Sequence, residues 1–136
     1  MATYTKYEPF IQGFANKEYD LFGTTDTVNV VFHSDAPVVA TDSVIGNLTQ
    51  VTGTGYAPGD TQNDSTRSGG TVTATAVDFV WTAGAADWTS GRYVSTYDDT
   101  HASDGLINSW DYGSAFTLGN GETFTVDFGA SWFTLS

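Results

Sequence analysis

Two histidines, sixteen carboxylates and four tryptophans hold most of the chemistry open to this chain of 136 residues, which has no cysteine. His33 stands two residues before Asp35, and His101 sits among Asp98, Asp99 and Asp104. A Ser–His–Asp assembly forms through space, so separation along the sequence does not forbid one. Neither imidazole has a Gly-x-Ser-x-Gly turn or a comparable nucleophile setting near it. Both are therefore expected as surface-loop histidines. Paired carboxylates could flank a glycosidic bond, but the acids fall mostly in turn-forming runs, where Asp accepts hydrogen bonds from its own backbone. Glu8, Glu18 and Glu122 have no motif around them.

The runs 60–64 and 98–105 concentrate the oxygen ligands that calcium needs, without the spacing of an EF-hand loop. The missing cysteines remove thiolate catalysis, disulfides, zinc ribbons and iron–sulfur sites. No metal and no cofactor is expected. Trp81, Trp110 and Trp132 lie in strand patterns and read as core. Trp88, in Asp87–Gly91, lies outside one, which makes it the candidate for a sugar-stacking shelf or a protein interface.

Thirteen Asp and three Glu face only Lys6, Lys17, Arg67 and Arg92, for a net charge of −12. Four scattered cations cannot track a phosphate backbone, so neither nucleic acid nor an anionic membrane is an expected partner. No apolar run is long enough to span a bilayer, and the first residues lack the apolar stretch of a secretory signal. Synthesis and folding in a cytosol are the expectation.

The elements that must position these residues are mainly β. Tyr7, Phe10, Ile11 and Phe14 have the spacing of one helical face, which predicts a helix over 7–17 within an N-terminal helical segment, 1–20. From 27 to 135 the pattern is that of strands. Residues 27–32 alternate, and 41–48 read as a helical turn or a loop. Three Gly and a Pro make 53–60 irregular, and 61–70 reads as an exposed loop. The run 71–81 changes its apolar parity midway, from Val72, Ala74 and Ala76 to Val77, Phe79 and Trp81. Such a change marks a bulge or a passage between sheets. Strands follow at 91–97, 106–112 and 115–118, then the hairpin-turn dipeptide Asn120-Gly121, and then 123–128 with Phe124, Val126 and Phe128 inward. Residues 131–135 complete the last sheet. Seven or so short strands in one domain, 1–136, predict an antiparallel β-sandwich or partly closed barrel with a short N-terminal helix.

Three stretches carry a family likeness: the opening Met1–Phe10 leading to Val28–Phe32; Ala36–Leu48 followed by Gly53–Tyr56; and Ile107–Leu118 running into Gly121–Phe128. Together they resemble small structural proteins of tailed-bacteriophage virions, most of all capsid decoration (cement) proteins. The resemblance implies a non-enzymatic component on the outer surface of the capsid that binds the phage major capsid protein and stabilises the head, as a monomer or a trimer. The resemblance transfers no contact residues; from the residues themselves, the expected interface lies in the N-terminal segment or the loops 53–70 and 98–105 and uses Tyr4, Lys6, Tyr7, Phe10, Arg67 and Trp88. A tail or fibre component acting as a carbohydrate- or receptor-binding β module is the alternative, and a small hydrolase a distant third. The acidity agrees with an outer position, where carboxylates stay solvated and do not face packaged DNA.

Overall fold

The computed structural model describes residues 2–21 and 26–136. Its framework is an antiparallel five-stranded sheet in the order β1-β8-β7-β2-β3, built from β1 (Thr3–Lys6), β2 (Val28–His33), β3 (Gly59–Asp60), β7 (Gly91–Asp98) and β8 (Gly105–Phe116). Two smaller sheets accompany it. One runs β10-β5-β4, from β4 (Asp64–Ser68), β5 (Thr71–Thr75) and β10 (Phe133–Leu135). The other pairs β6 (Phe79–Thr82) with β9 (Thr123–Val126). The sheets remain open, so the architecture is a β-sandwich and not a barrel.

Register divides the large sheet into two faces, because cross-strand partners point the same way. Phe32 pairs with Val94, which pairs with Trp110. This face packs on the smaller sheets: the Phe32 ring lies 5.2 Å from Phe124 and 6.1 Å from Trp81, and Trp110 meets Phe128 edge-on. The opposite face carries His33, Tyr93, Ser95 and Ser109. The segment after β2 covers it, tied down by Val51 N–H to Phe32 O, Leu106 N–H to Ser43 O and Glu8 N–H to Val39 O. That segment contains a single 3-10 turn, Ile45–Asn47.

The parity change in 71–81 is a passage between sheets. β5 belongs to one small sheet and β6 to the other, while Val77, at the crossing, is exposed. In 123–128 the inward set is as expected, with Val126 and Phe128 buried and Thr123, Thr125 and Asp127 exposed.

Four local readings change. Residues 3–6 are an edge strand on β8, not part of a helix, and the helix α1 (Glu8–Ala15) starts after them with Pro9 in its first turn, where a missing N–H costs nothing. The stretch 61–70 contains β4, joined to β5 by the two-residue turn Gly69-Gly70 with Gly69 at φ 58°. A Gly-Gly pair between alternating residues is a hairpin signal. Asn120-Gly121 instead closes a turn in which only Gly121 has positive φ, and its flanking strands pair with other partners. Residues 105–116 form one strand and not two, while β1, β3 and β4 are additional and 71–81 divides into β5 and β6, so the described residues hold ten strands, more than seven. Among the described residues, no helix is long and apolar enough to cross a membrane.

Candidate functional site

His33 is the last residue of β2, and its register partner is Tyr93 on β7. The adjacent β7 residue on the same face of the sheet is Ser95, two positions along. This places His33 Nε2 2.8 Å from Ser95 Oγ, while Nδ1 faces Asp35 O at 3.1 Å and Asp35 Oδ1 at 3.3 Å. Tyr7, entering from the junction of β1 and α1, puts its hydroxyl 2.9 Å from the same Ser95 Oγ. Asp35, His33 and Ser95 thus meet in the order of a hydrolytic triad.

The direction of each bond follows from the acceptors. Both Asp35 oxygens only accept, so His33 Nδ1 carries the hydrogen and Nε2 is the free lone pair. Ser95 then donates to Nε2, and Tyr7 donates to Ser95. Burial pushes the Tyr7 phenol up to about 12, which keeps that proton in place. Burial also lowers His33, against the opposing pull of Asp35 and Asp42. The imidazole is therefore neutral, as the chain of bonds requires.

This geometry does not amount to a catalytic site. Tyr7, His33 and Ser95 are each 0% exposed. A nucleophile must reach an acyl carbon, and Ser95 has no open side from which to do so. A cleft of about 240 Å³ lies nearby, lined by Thr3, Thr5, Pro37, Val39, Tyr93 and Ser109 among others, and neither Ser95 nor His33 reaches it. Its volume is also below that of ordinary small-molecule sites. The network instead locks the β2–β7 pair to the entry of α1. The expectation of a surface-loop His33 is thereby corrected: the strand runs one residue further than its alternating pattern and carries the imidazole inside.

An ion pair borders the cleft at Asp111. Arg92 forks onto Asp111 with Nε–Oδ1 at 2.7 Å and Nη2–Oδ2 at 2.8 Å, and its guanidinium lies 5.2 Å from the Tyr93 ring. That pairing holds the Asp111 carboxyl down to about 2. The sequence contains both residues, but the bulge that brings them together, between Gly91 and Tyr93, is a tertiary feature.

Three of the six expected interface residues are interior. Tyr7 is fully buried, Phe10 is 4% exposed against Tyr19 and Phe133, and Trp88 is 3% exposed. Trp88 cannot offer a sugar a free face, because its ring meets Tyr56 edge-on and its Nε1 donates to Thr54 O at 2.9 Å. With Trp81 Nε1 donating to Ala57 O at 2.7 Å, it pins the irregular loop 53–60. A Cβ on Gly53 would fall 2.1 Å from Trp88 Cδ1 and 3.0 Å from its Cα. Gly53→Ala is therefore expected to cost about 1–3 kcal/mol of stability by urea denaturation. A loss under about 0.5 kcal/mol would show that the indole moves aside freely.

Tyr4, Lys6 and Arg67 do reach the surface. Tyr4 is 38% exposed and stacks its edge on Trp110, and Lys6 Nζ sits 5.4 Å from the Phe133 ring centre. Arg67 is exposed on β4, far along the chain from the other two. Ile11, expected on the inward helical face, is 56% exposed. With Lys6, Phe14 and Leu135 it borders a shallow apolar groove of about 150 Å³.

The acidic loops bond to their own backbone. Asp60 Oδ1 accepts from Gln62 N–H at 2.8 Å, and Asp98 Oδ1 accepts from Thr100 and His101 N–H at 2.8 and 3.1 Å. Among the described residues, no three of His, Asp or Glu converge as metal ligands. His101 is partly buried, stacked on Tyr19 at 5.0 Å. No protein-family model, curated protein or solved structure matches the chain.

Proposed function

We propose that the protein is a non-enzymatic virion structural protein of a tailed bacteriophage, decorating the outer surface of the head and binding the major capsid protein through its N-terminal edge. The observation that carries this reading is the surface at that edge. Tyr4 and Ile11 are large apolar side chains exposed at 38% and 56%, next to Lys6, on a protein with only four Lys and Arg. Ile11 borders the apolar groove with Lys6, Phe14 and Leu135, and Tyr4 lies two residues before Lys6 on the same face of β1; a contiguous exposed apolar patch is the kind of surface that marks a protein-binding site. β1 also ends its sheet order, so it presents a row of backbone groups to which a partner strand can add. The closed Ser95–His33 network supports a role without turnover, and the family likeness of the sequence supplies the virion.

Cryo-EM of the particle that carries the protein is the direct test. Density on the outer shell is expected, and density in the tail alone overturns the reading. Binding of purified protein to undecorated heads tests the surface itself. Ile11→Asp is expected to weaken binding at least about tenfold, the loss of one strong interface anchor. Its melting temperature should stay near that of the parent, as for an exposed position. Unchanged head occupancy would remove this edge from the interface.

A further inference from the structure

Three of the four tryptophans spend their indole N–H on the protein itself. Trp81 and Trp88 donate to Ala57 O and Thr54 O at 2.7 and 2.9 Å, and Trp132 donates to Asn108 Oδ1 at 2.7 Å. Those three rings are buried. Trp110 is partly exposed, and its N–H has no acceptor among the described residues. Tyr112 stands two residues further along β8, hence on the same face, also partly exposed and with its hydroxyl unpartnered among the described residues.

Both rings are held in place by the run 123–128. Trp110 meets Phe128 edge-on at 5.5 Å, and Tyr112 meets Phe124 edge-on at 5.2 Å. Val126, between those phenylalanines in sequence, helps to line a recess of about 300 Å³ with Ala2, Trp110, Tyr112, Thr125 and Asp127. Val126 points inward and Thr125 and Asp127 outward, so one recess meets all three along the free edge of β9, which pairs with β6 alone. The volume reaches the lower end of small-molecule sites, which the cleft beside Tyr93 does not.

The polar groups here are mixed. Asp127 Oδ1 accepts from Gly129 N–H at 2.7 Å, which orients the carboxylate and leaves Oδ2 for a ligand. The Thr125 hydroxyl has no partner among the described residues. Burial, followed by the Asp127 carboxylate, raises the Tyr112 phenol above its ordinary value, so it keeps its proton and can donate.

We propose that this recess binds one residue of a neutral saccharide, set against the Trp110 and Tyr112 rings with its hydroxyls on Asp127 Oδ2, Thr125 and the Trp110 N–H. A pyranose has an apolar C–H face and a rim of hydroxyls that both donate and accept, which suits aromatic rings beside mixed polar groups. Charge narrows the class. Asp127 lines the recess, no Lys or Arg does, and the chain carries −12, so a carboxylated or phosphorylated sugar is repelled. The ring available for a sugar shelf is thus Trp110, not Trp88. The recess is separate from the groove beside Ile11, so this inference does not rest on head binding.

The experiment follows the four indole N–H signals of the isotope-labelled full chain by two-dimensional NMR. Trp110→Phe identifies one of them by its disappearance, and sequential assignment does so if that variant does not fold. Methyl glycosides of glucose, galactose, mannose and N-acetylglucosamine are each titrated to about 50 mM, above the millimolar dissociation constants expected of so small a ligand. At least one should shift the Trp110 signal saturably and leave the other three in place. N-acetylneuraminic acid, an anion, should not. Asp127→Asn retains an acceptor for Gly129 N–H and should melt near the parent, as for an exposed position. It should weaken binding at least about fivefold, because a hydrogen bond to a charged acceptor is lost. A Trp110 signal unmoved by all four glycosides overturns the site, and so does equal binding by Asp127→Asn. An equal shift with N-acetylneuraminic acid overturns the neutral class. Head occupancy enters none of these readouts, so this site and the capsid-binding edge fail separately.

Discussion

Phe32→Ala is expected to lower the unfolding free energy by about 3–5 kcal/mol. The melting temperature should fall by roughly 10–20 °C with it. Phe32 is 0% exposed and is the ring on which the two layers meet. It lies 5.1 Å from Phe116, 5.2 Å from Phe124 and 6.1 Å from Trp81, so strands β2, β6, β8 and β9 all lean on it. Collapse into the vacancy is obstructed, because its own backbone is held in the β2–β7 ladder and by Tyr56, whose hydroxyl bonds both Phe32 N–H and Phe32 O at 3.0 Å. The ring also fills the space over Gly91, where a Cβ would stand 2.5 Å from Phe32 Cζ. Phe32→Leu should recover a large part of the loss. Equilibrium urea denaturation reads both variants, and a loss below about 1 kcal/mol for Phe32→Ala would show that the layers do not depend on this ring.

His33→Ala is expected to cost about 2–4 kcal/mol at pH 7.5, combining a cavity with a Ser95 hydroxyl deprived of its acceptor. Tyr7→Phe, which removes only the outermost donor, should cost about 1 kcal/mol. The histidine also gives stability a pH dependence of defined sign. Burial depresses the folded-state pKa below the ordinary histidine value, and only Asp35 and Asp42 oppose it, while Ser95, Tyr7 and Tyr93 around the ring contribute no charge. The unfolded chain then binds the proton more readily than the folded one. The His33 contribution is complete above about 6.5 and is lost as pH falls below it. In urea midpoints taken from pH 8 to pH 5, the gap between the parent and His33→Gln should be constant at the alkaline end and close toward the acid end. A gap that widens on acidification would mean that the imidazole is charged inside the fold, contrary to the hydrogen-bond directions derived above.

The two strongest alternations in the sequence, 27–32 and 123–128, specify their own faces because a strand's side chains repeat every two residues whatever it pairs with. The parity break between Ala76 and Val77 likewise announces a change of sheet, and the structure makes it. The stretch 61–70 misleads for an understandable reason. Its side chains are polar because both faces of β4 are largely exposed, so nothing in its hydropathy distinguishes a surface strand from a loop. Only Gly69-Gly70 marks the hairpin.

The candidate site was less legible than the fold. Trp88 lies in a loop, and a loop tryptophan reads as exposed unless one knows that Thr54 O waits 2.9 Å from its indole nitrogen. Tyr7 and Ile11 share a helical stripe by spacing, yet Tyr7 precedes the helix and turns inward to Ser95 while Ile11 turns out. The stripe rule assumes a helix lying flat on a core, whereas α1 has only eight residues and follows directly from an edge strand.

By itself, the sequence determined that the chain is β-rich, strongly acidic and built without thiol chemistry, because these follow from composition and from periods of two residues that need no partner. The tertiary structure decided that His33 is a buried neutral link between Asp35 and Ser95 and that Trp88 is a pin for a loop. Each of these depends on which strand lies beside which. Pairing brings together residues 19 to 88 positions apart, and the free energy that fixes it is spread over the whole packed core.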